Sequence, residues 1–314
     1  MSNAPASAAS TKQPGFLDRH HFLLRRLHSL TGIVPIGVFV IFHLFTNMQL
    51  IWGAIGLEDT FQHEVEFIHD LPALLFLEIF GLWLPIGFHA ALGLVYTFTG
   101  KTNIDRYKYG GNIRYTLQRV SGILAVVFIF LHIATLRWRW NIFGWYTPFF
   151  VEGEVAGETI GLASASTAIA FNGGPESNLL AAGLVILLYI IGVSSVVFHW
   201  SNGLWTAAIS WGITTTEKAF QRWGYVCAAM GVALAVFGGA AIYGAITYDI
   251  SPEELQAWET LAAERAGEHV DPAEANLDAA PDASRGARAP SPSKNAGETT
   301  AEALAHDQTV PIVH

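Results

Sequence analysis

The chain has 314 residues, of which 52% are hydrophobic and only 14% are charged. Soluble domains carry about a quarter charged residues, so this composition excludes an ordinary soluble protein and predicts an integral membrane protein. The formal net charge of −9 argues against a nucleic-acid partner, and half of the 26 acidic residues lie after Tyr248. A single cysteine, Cys227, excludes an internal disulfide and a cysteine-ligated iron–sulfur cluster.

Five apolar segments approach the length of about 20 residues that a helix needs to cross a bilayer. They predict an all-α integral membrane fold with five transmembrane helices. The predicted spans are residues 30–51, 73–98, 119–136, 179–200 and 224–247.

The segments around these spans divide the chain into three predicted regions. Residues 1–19 are polar and predict a disordered cytoplasmic arm, and residues 20–248 form the transmembrane domain, with a long outer loop at 141–178. The tail, 249–314, is acidic and predicts disorder after a short helix that opens near Pro252. No internal repeat is evident.

Basic residues predict the orientation, because cytoplasmic loops of membrane proteins are enriched in lysine and arginine. Four basic residues precede the first span, and the loop between the first two spans has none. The bias places the N-terminus in the cytoplasm and the C-terminus outside, in a multi-pass protein of the cytoplasmic membrane. Arg137 and Arg139 run against the bias, which suggests that they have a local role.

Four spans each carry one histidine, a residue that is costly in hydrocarbon and rarely lies there without a function. The four are His43, His89, His132 and His199. With a rise of about 1.5 Å per residue, His43 and His132 both lie about 20 Å from the inner face. His89 and His199 lie about 25–30 Å from the outer face, nearer the cytoplasm.

Each level therefore offers one imidazole from each of two helices. This is the arrangement by which a four-helix bundle binds two b-type haems. In the simpler interpretation each histidine only packs or forms hydrogen bonds. That interpretation does not explain why four histidines on four helices lie at two matching depths.

Five stretches carry a family resemblance. They are RRLHSLTGIVPIGVFVIFHL (25–44), LEIFGLWLPIGFHAALGLVY (77–96), LQRVSGILAVVFIFLH (117–132), VVFHWSNGLW (196–205) and ISWGITTT (209–216). Over residues 19–248 the chain resembles the cytochrome b membrane anchors of succinate dehydrogenase and fumarate reductase, in their single-polypeptide, five-helix, di-haem form.

The resemblance implies that the same four histidines are axial ligands of two haems b, with His43 and His132 on the outer haem and His89 and His199 on the inner one. It also implies a flavoprotein subunit with FAD and an iron–sulfur subunit on the cytoplasmic side, and quinone, expected to be menaquinone, in the membrane. The chain has no GxGxxG motif after a strand. The dicarboxylate chemistry is therefore expected on a partner, and this chain is expected to transfer electrons.

Two further groups of residues are candidates for the site. The resemblance suggests a quinone site near the outer haem with a carboxylate beside it, for which the candidates are Glu64, Glu66, Asp70 and Glu78. Candidates for contacts with haem propionates are His28, Arg25, Arg26 and Arg119, and such a contact would also give Arg137 and Arg139 a local role. For the carboxylates the alternative is a solvated loop face, and for the arginines it is topology alone.

Two alternatives to the main interpretation stay open from the sequence. The chain could be a cytochrome b anchor of another quinone-linked enzyme, such as a hydrogenase, formate dehydrogenase or nitrate reductase. It could also be a transporter or purely structural anchor without haem, in which the histidines relay protons or pack.

Overall fold

The computed structural model of the chain describes residues 15–100, 109–138, 140 and 147–268. The α-helices are Phe16–Ile33 (α1), Pro35–Met48 (α2), Leu50–Ala54 (α3), Thr60–His69 (α4), Leu74–Phe76 (α5), Leu84–Thr99 (α6), Gly110–Leu136 (α7), Ala163–Phe171 (α8), Leu179–Ser210 (α9), Glu217–Thr247 (α10) and Pro252–Glu268 (α11). A π-helical segment, Leu77–Trp83, joins α5 to α6, and two short strands are Glu152–Val155 (β1) and Glu158–Gly161 (β2).

Five helical stretches are long and apolar enough to cross a membrane, so the prediction of an all-α membrane fold with five transmembrane helices is confirmed. They are Arg19–Ala54, Leu74–Thr99, Gly110–Leu136, Leu179–Ser210 and Glu217–Thr247. The helices extend beyond the apolar segments that predicted them. Helix α1 begins at Phe16, inside the region where the sequence predicts a disordered arm, and residues 1–14 lie outside the described part of the chain.

Helix α7 begins at Gly110, well before residue 119, where the apolar run starts. Hydropathy misses the early turns because they carry polar side chains that face α9. Arg114 donates from Nε to Asn202 at 3.0 Å, and Gln118 accepts from the amide of the same asparagine at 2.7 Å.

The bundle is organised around α9, which packs against α7 on one side and α10 on the other. Helix α10 also packs against α2 and α3, and α1 packs against α6. One buried cluster joins α2, α9 and α10 through Leu44, Val197, Trp200 and Leu234. Helix α10 approaches α3 closely at Gly244, where a Cβ would lie 2.8 Å from the backbone of Ile51.

The first span is interrupted at Val34, between α1 and α2. Pro35 follows directly and occupies the first turn of α2, where its missing N–H leaves no hydrogen bond unmade. The break therefore separates the α1 segment that carries His28 from the α2 segment that carries His43.

The segment before α9 folds into a β-hairpin and helix α8, although the sequence predicted only a long loop there. Helix α4 packs against this segment, and we call the assembly of α4, β1, β2 and α8 the cap. Strands β1 and β2 pair in an antiparallel hairpin with Glu152 opposite Gly161. Ala156 and Gly157 both have positive φ, 54° and 86°, as a two-residue type I′ turn requires. The side chain of Asn178 caps the start of α9 by accepting from the backbone amides of Leu180 and Ala181, each at 3.1 Å.

Helix α11 lies where the sequence predicts a short helix at the start of the tail, and it packs on the cap. Its Ala257 is 1% exposed and its Trp258 is 4% exposed. Burial and hydrogen bonding to Glu254 raise the pKa of the Tyr248 hydroxyl, which therefore stays protonated and donates to Glu254 at 2.8 Å. Folded structure thus continues beyond residue 248, and residues 269–314 lie outside the described part of the chain.

Candidate haem sites

The structure brings the four membrane histidines together as two separate pairs. The ring centroids of His43 and His132 lie 5.9 Å apart, with an angle of 80° between the ring planes. Those of His89 and His199 lie 6.1 Å apart, with an angle of 88°. Helices α2 and α7 supply the first pair, and α6 and α9 supply the second. These are the pairs that the depth of each histidine along its helix predicts.

The spacing within each pair matches one metal ion between two rings. Two bonds of about 2 Å between imidazole nitrogen and metal, together with the two half-rings, add to about 6 Å. Within the described residues, no group of three or more histidine, cysteine, aspartate or glutamate side chains could hold a metal ion. Among the described residues each pair therefore offers two imidazoles, which fits a haem, because the porphyrin brings its own nitrogens to the iron.

Hydrogen bonds from His89 and His199 determine which nitrogen of each ring carries the proton. Nδ1 of His89 lies 2.8 Å from the main-chain oxygen of His28, and Nδ1 of His199 lies 3.0 Å from that of Gln118. A carbonyl oxygen only accepts, so both Nδ1 atoms carry the proton and donate. Nε2 of each ring then has a free lone pair, as a haem ligand needs. The hydrogen bond from Nδ1 also fixes the orientation of the ring.

The other two rings lie beside polar side chains. Nδ1 of His132 lies 3.0 Å from the hydroxyl of Tyr189 on α9. Asn47 donates from its side-chain amide to the main-chain oxygen of His43 at 2.7 Å, and the same nitrogen lies 3.4 Å from Nδ1 of the His43 ring. Sequence analysis missed both partners. Asn47 follows His43 by one helical turn, which is a usable signal, but nothing in the sequence marks Tyr189 within its apolar helix.

Three of the four predicted propionate residues gather around Tyr96, a residue that sequence analysis missed. The ring of His28 lies edge-on to Tyr96 at 5.6 Å, and the Arg25 guanidinium lies 5.4 Å from the Tyr96 ring centroid. Arg119 donates to the main-chain oxygen of Tyr96 at 3.2 Å. Nδ1 of His28 and the hydroxyl of Tyr96 are buried without a hydrogen-bond partner.

Arg26 does not join this group, because its guanidinium lies over the rings of Phe22 and Trp211. The remaining set combines two cations with two unpaired buried polar atoms. Buried polar groups are rarely left without a partner, so a carboxylate of a bound cofactor fits this place.

The candidate quinone residues separate into two places. Glu78 lies in the π-helical segment and accepts from Arg137, just after α7, at 3.0 Å. Arg137 therefore pairs with Glu78, although the sequence suggested a propionate contact for it, and Arg139 lies outside the described residues. This ion pair explains how a carboxylate is tolerated inside a predicted span.

Glu64, Glu66 and Asp70 lie on or just after α4, part of the cap. Glu66 accepts from the amide of Gln62 at 2.7 Å, and Glu66 and Asp70 line a polar cleft with Glu152. Glu64 is half-buried on the same helix. Of the four carboxylates, only Glu78 belongs to a membrane-spanning stretch.

Comparison with known proteins finds a relative that is similar enough to show the family of this chain. The chain is 35% identical over 222 residues to the succinate dehydrogenase cytochrome b558 subunit of Bacillus subtilis (strain 168), which covers 71% of this chain and 96% of that protein. The chain belongs to the family of succinate dehydrogenase cytochrome b subunits. No family model matches the chain.

Family membership confirms the resemblance that the sequence motifs indicate. The chain is a multi-span membrane cytochrome b of the succinate dehydrogenase type, a family whose name implies haem and association with the flavoprotein and iron–sulfur subunits. This favours succinate dehydrogenase over the cytochrome b anchors of hydrogenase, formate dehydrogenase and nitrate reductase, and over a haem-free transporter.

Proposed function

We propose that this chain binds two haems b and passes electrons between the iron–sulfur subunit of succinate dehydrogenase and quinone in the membrane. The observation that carries the proposal is the pairing of His43 with His132 and of His89 with His199, each at about 6 Å between ring centroids. When bound, the haems would supply one-electron redox steps, which the amino acids of this chain do not supply themselves.

The residues of the chain have separate tasks in this proposal. The four imidazoles hold the irons, and the carbonyls of His28 and Gln118 keep two of the rings in the correct tautomer. Arg25 and Arg119, with the unpaired hydroxyl of Tyr96, would bind propionates of the haem between His89 and His199.

The proposed orientation follows from the distribution of basic residues. The N-terminus and the His89–His199 pair lie toward the cytoplasm, and the cap and the His43–His132 pair lie toward the outside of the cytoplasmic membrane. The flavoprotein and iron–sulfur subunits would bind the cytoplasmic face, and the dicarboxylate chemistry belongs to the flavoprotein. The domain boundaries at residues 19 and 248 are part of the same proposal.

Purification of the membrane complex through a tag on this chain tests the proposal directly. We expect two haems b per chain in a pyridine haemochrome assay, and a flavoprotein and an iron–sulfur protein in the same complex. An intact complex without haem would contradict the electron-transfer role, and copurification of hydrogenase or formate dehydrogenase subunits would contradict the partner assignment.

Glu78 is the proposed proton-carrying carboxylate at the quinone site, which we place near the His43–His132 pair. Quinone reduction consumes protons, so a titratable group beside the quinone has a clear task. The π-helical segment that carries Glu78 packs against α2, the helix of His43, and π-helical turns often mark functional sites. Menaquinone is the species that we propose.

Two variants separate proton transfer from structure at this ion pair. Glu78→Gln and Arg137→Gln both break the pair. Because Glu78 lies in a membrane-spanning stretch, Arg137→Gln leaves a carboxylate there without its partner and is expected to destabilise the protein more than Glu78→Gln, which replaces the carboxylate by an uncharged amide of the same shape. Only Glu78→Gln removes the titratable group, and it should slow quinone reduction by about 100-fold, as loss of a general acid–base group does. Equal turnover in the two variants would assign the pair a structural role alone.

A further inference from the structure

Helices α1 and α6 pack through two histidines and two glycines in a reciprocal arrangement. His28 and Gly32 are one helical turn apart on α1, as are His89 and Gly93 on α6. The ring of His89 lies against Gly32, where a Cβ would be 2.5 Å from its Cε1. The ring of His28 lies against Gly93, where a Cβ would be 3.2 Å from its Cε1. The two rings stack at 3.9 Å.

Helices α7 and α9 repeat this arrangement with one residue exchanged. The ring of His199 lies against Gly122, where a Cβ would be 2.8 Å from its Cε1. The side chain of Gln118, one turn before Gly122, lies against Gly203, where a Cβ would be 3.4 Å from its Nε2. Gly203 in turn follows His199 by one turn, so Gln118 occupies the place that His28 has in the first unit.

The same hydrogen bond is made in both units. His89 donates from Nδ1 to the main-chain oxygen of His28, and His199 donates from Nδ1 to that of Gln118. A hydroxyl side chain one turn later donates to the same oxygen in each unit, Thr31 at 3.0 Å and Ser121 at 3.2 Å. We call each unit a clasp, the first formed by residues 28, 32, 89 and 93 and the second by residues 118, 122, 199 and 203.

Glycine is required in a clasp for a geometric reason. A helical carbonyl points toward the residue four positions later, so a second donor must approach it past the side of that residue. Gly32 and Gly122 hold those positions for the carbonyls of His28 and Gln118. A methyl group there would overlap a ring that the hydrogen bond already holds in place, and the ring would have to leave the carbonyl.

We infer that the two clasps are a repeated device that positions both axial ligands of one haem, with Gly32 and Gly122 as positioning residues and with His28 and Gln118 as equivalent members. The inference rests on the proposed ligand role of His89 and His199. It also predicts selectivity, because the neighbours of the other two rings are of a different kind. Nδ1 of His132 lies beside the Tyr189 hydroxyl, and the His43 ring lies beside Asn47. Damage to a clasp should therefore affect one haem and spare the other.

The test measures haem content per chain, the low-spin ferric signals in electron paramagnetic resonance, and the midpoint potential of each haem in the purified complex. Gly32→Ala and Gly122→Ala are each expected to lose or shift the signal of one haem, the same one that His89→Ala removes. Gly87→Ala on α6 and Gly183→Ala on α9 are matched controls, because a Cβ at either position meets nothing within 4 Å. Both controls should retain two haems with wild-type signals.

A second variant keeps the inference testable if an alanine variant does not accumulate in the membrane. His28→Gln places in the first clasp the residue that the second clasp already uses, so the complex should retain two haems per chain. The midpoint potential of the haem at His89 is expected to shift, because the variant also removes the ring nitrogen beside the proposed propionate site. Loss of a haem in His28→Gln would overturn the equivalence of the two clasps.

Wild-type signals in Gly32→Ala and Gly122→Ala would overturn the positioning role, as would equal loss of both haems. Failure of the proposed function itself gives a different result. In that case His89→Ala leaves the haem content of the complex unchanged, whatever the glycine variants do.

Discussion

Replacement of either histidine of a pair by alanine is expected to remove one haem from the complex, and the same haem for both members of the pair. His89→Ala and His199→Ala should each lower the haem content from two per chain to about one, because a single imidazole no longer holds the iron. His43→Ala and His132→Ala should each remove the other haem. The reduced-minus-oxidised spectrum, with haem quantitation per chain, measures both losses.

Double variants test the pairing more strictly, because two histidines that bind the same haem should not have additive effects on haem content. His89→Ala combined with His199→Ala should lose no more haem than either change alone. His89→Ala combined with His132→Ala should lose both haems. If His89→Ala and His132→Ala instead removed the same haem, the pairing would be wrong.

His63→Ala is the matched control for these variants. His63 lies on α4 of the cap with 68% of its side chain exposed, and its ring nitrogens lie 3.7 Å from the carboxylate of Glu58 and 3.8 Å from that of Glu66. Exposed contacts of this kind contribute little to stability, so this variant should retain both haems.

The fold could be predicted from sequence where hydropathy alone decides the outcome. The five spans follow from runs of apolar residues, and the pairing of histidines follows from the constant rise of a helix. The prediction was poorest at the helix ends, since the first turns of α7 carry Arg114 and Gln118, whose polar partners lie on α9. Such partners come from distant parts of the chain and leave no local pattern.

The clasps show how a signal can be present in the sequence and still carry no prediction. HSLTG and HAALG, at 28–32 and 89–93, have the same spacing as QRVSG and HWSNG, at 118–122 and 199–203. Small residues at this spacing are common wherever membrane helices pack, so the pattern alone indicates no repeat. Only the contacts between the helices reveal that each histidine lies against the glycine of its partner.

The sequence also did not predict the cap or the packing of α11 on it, because the residues that form them come from three separate segments of the chain. Gln62 on α4 donates to the main-chain oxygen of Val151 at 2.9 Å and accepts from the backbone of Ala163 at 2.8 Å. Helix α11 completes the assembly from the far end of the chain. A short amphipathic helix in an acidic tail gives little indication that it docks against a hairpin about 100 residues earlier.

Trp258→Ala is expected to release α11 from the cap while both haems stay bound. The indole is 4% exposed, donates to the main-chain oxygen of Pro148 at 2.9 Å and lies edge-on to Phe150 at 6.3 Å. Truncation of a buried tryptophan costs about 3–5 kcal/mol. Because about 1.4 kcal/mol corresponds to a factor of ten, the open form of α11 should become at least 100-fold more populated.

Limited proteolysis of the complex, followed by mass spectrometry, measures this opening as the rate of cleavage between Ser251 and Glu268. Trp258→Phe keeps most of the ring but leaves the Pro148 oxygen without its donor, so its cleavage rate should lie between those of Trp258→Ala and the wild type. Glu259→Ala changes an exposed neighbour on the same helix and should cleave like the wild type.

The cleavage rate and the haem content of Trp258→Ala together decide whether the packing of α11 on the cap contributes to the stability of the transmembrane bundle. The tryptophan contacts Phe150, which packs against the cluster of Leu162, Ala165 and Ala257, and this cluster is distinct from the one that joins α2, α9 and α10. Faster cleavage with two haems retained would show that α11 closes the cap without supporting the bundle. Loss of the haem assigned to His43 and His132 in the same variant would show instead that the cap stabilises that site. It would contradict the expectation that α11 closes the cap without supporting the bundle.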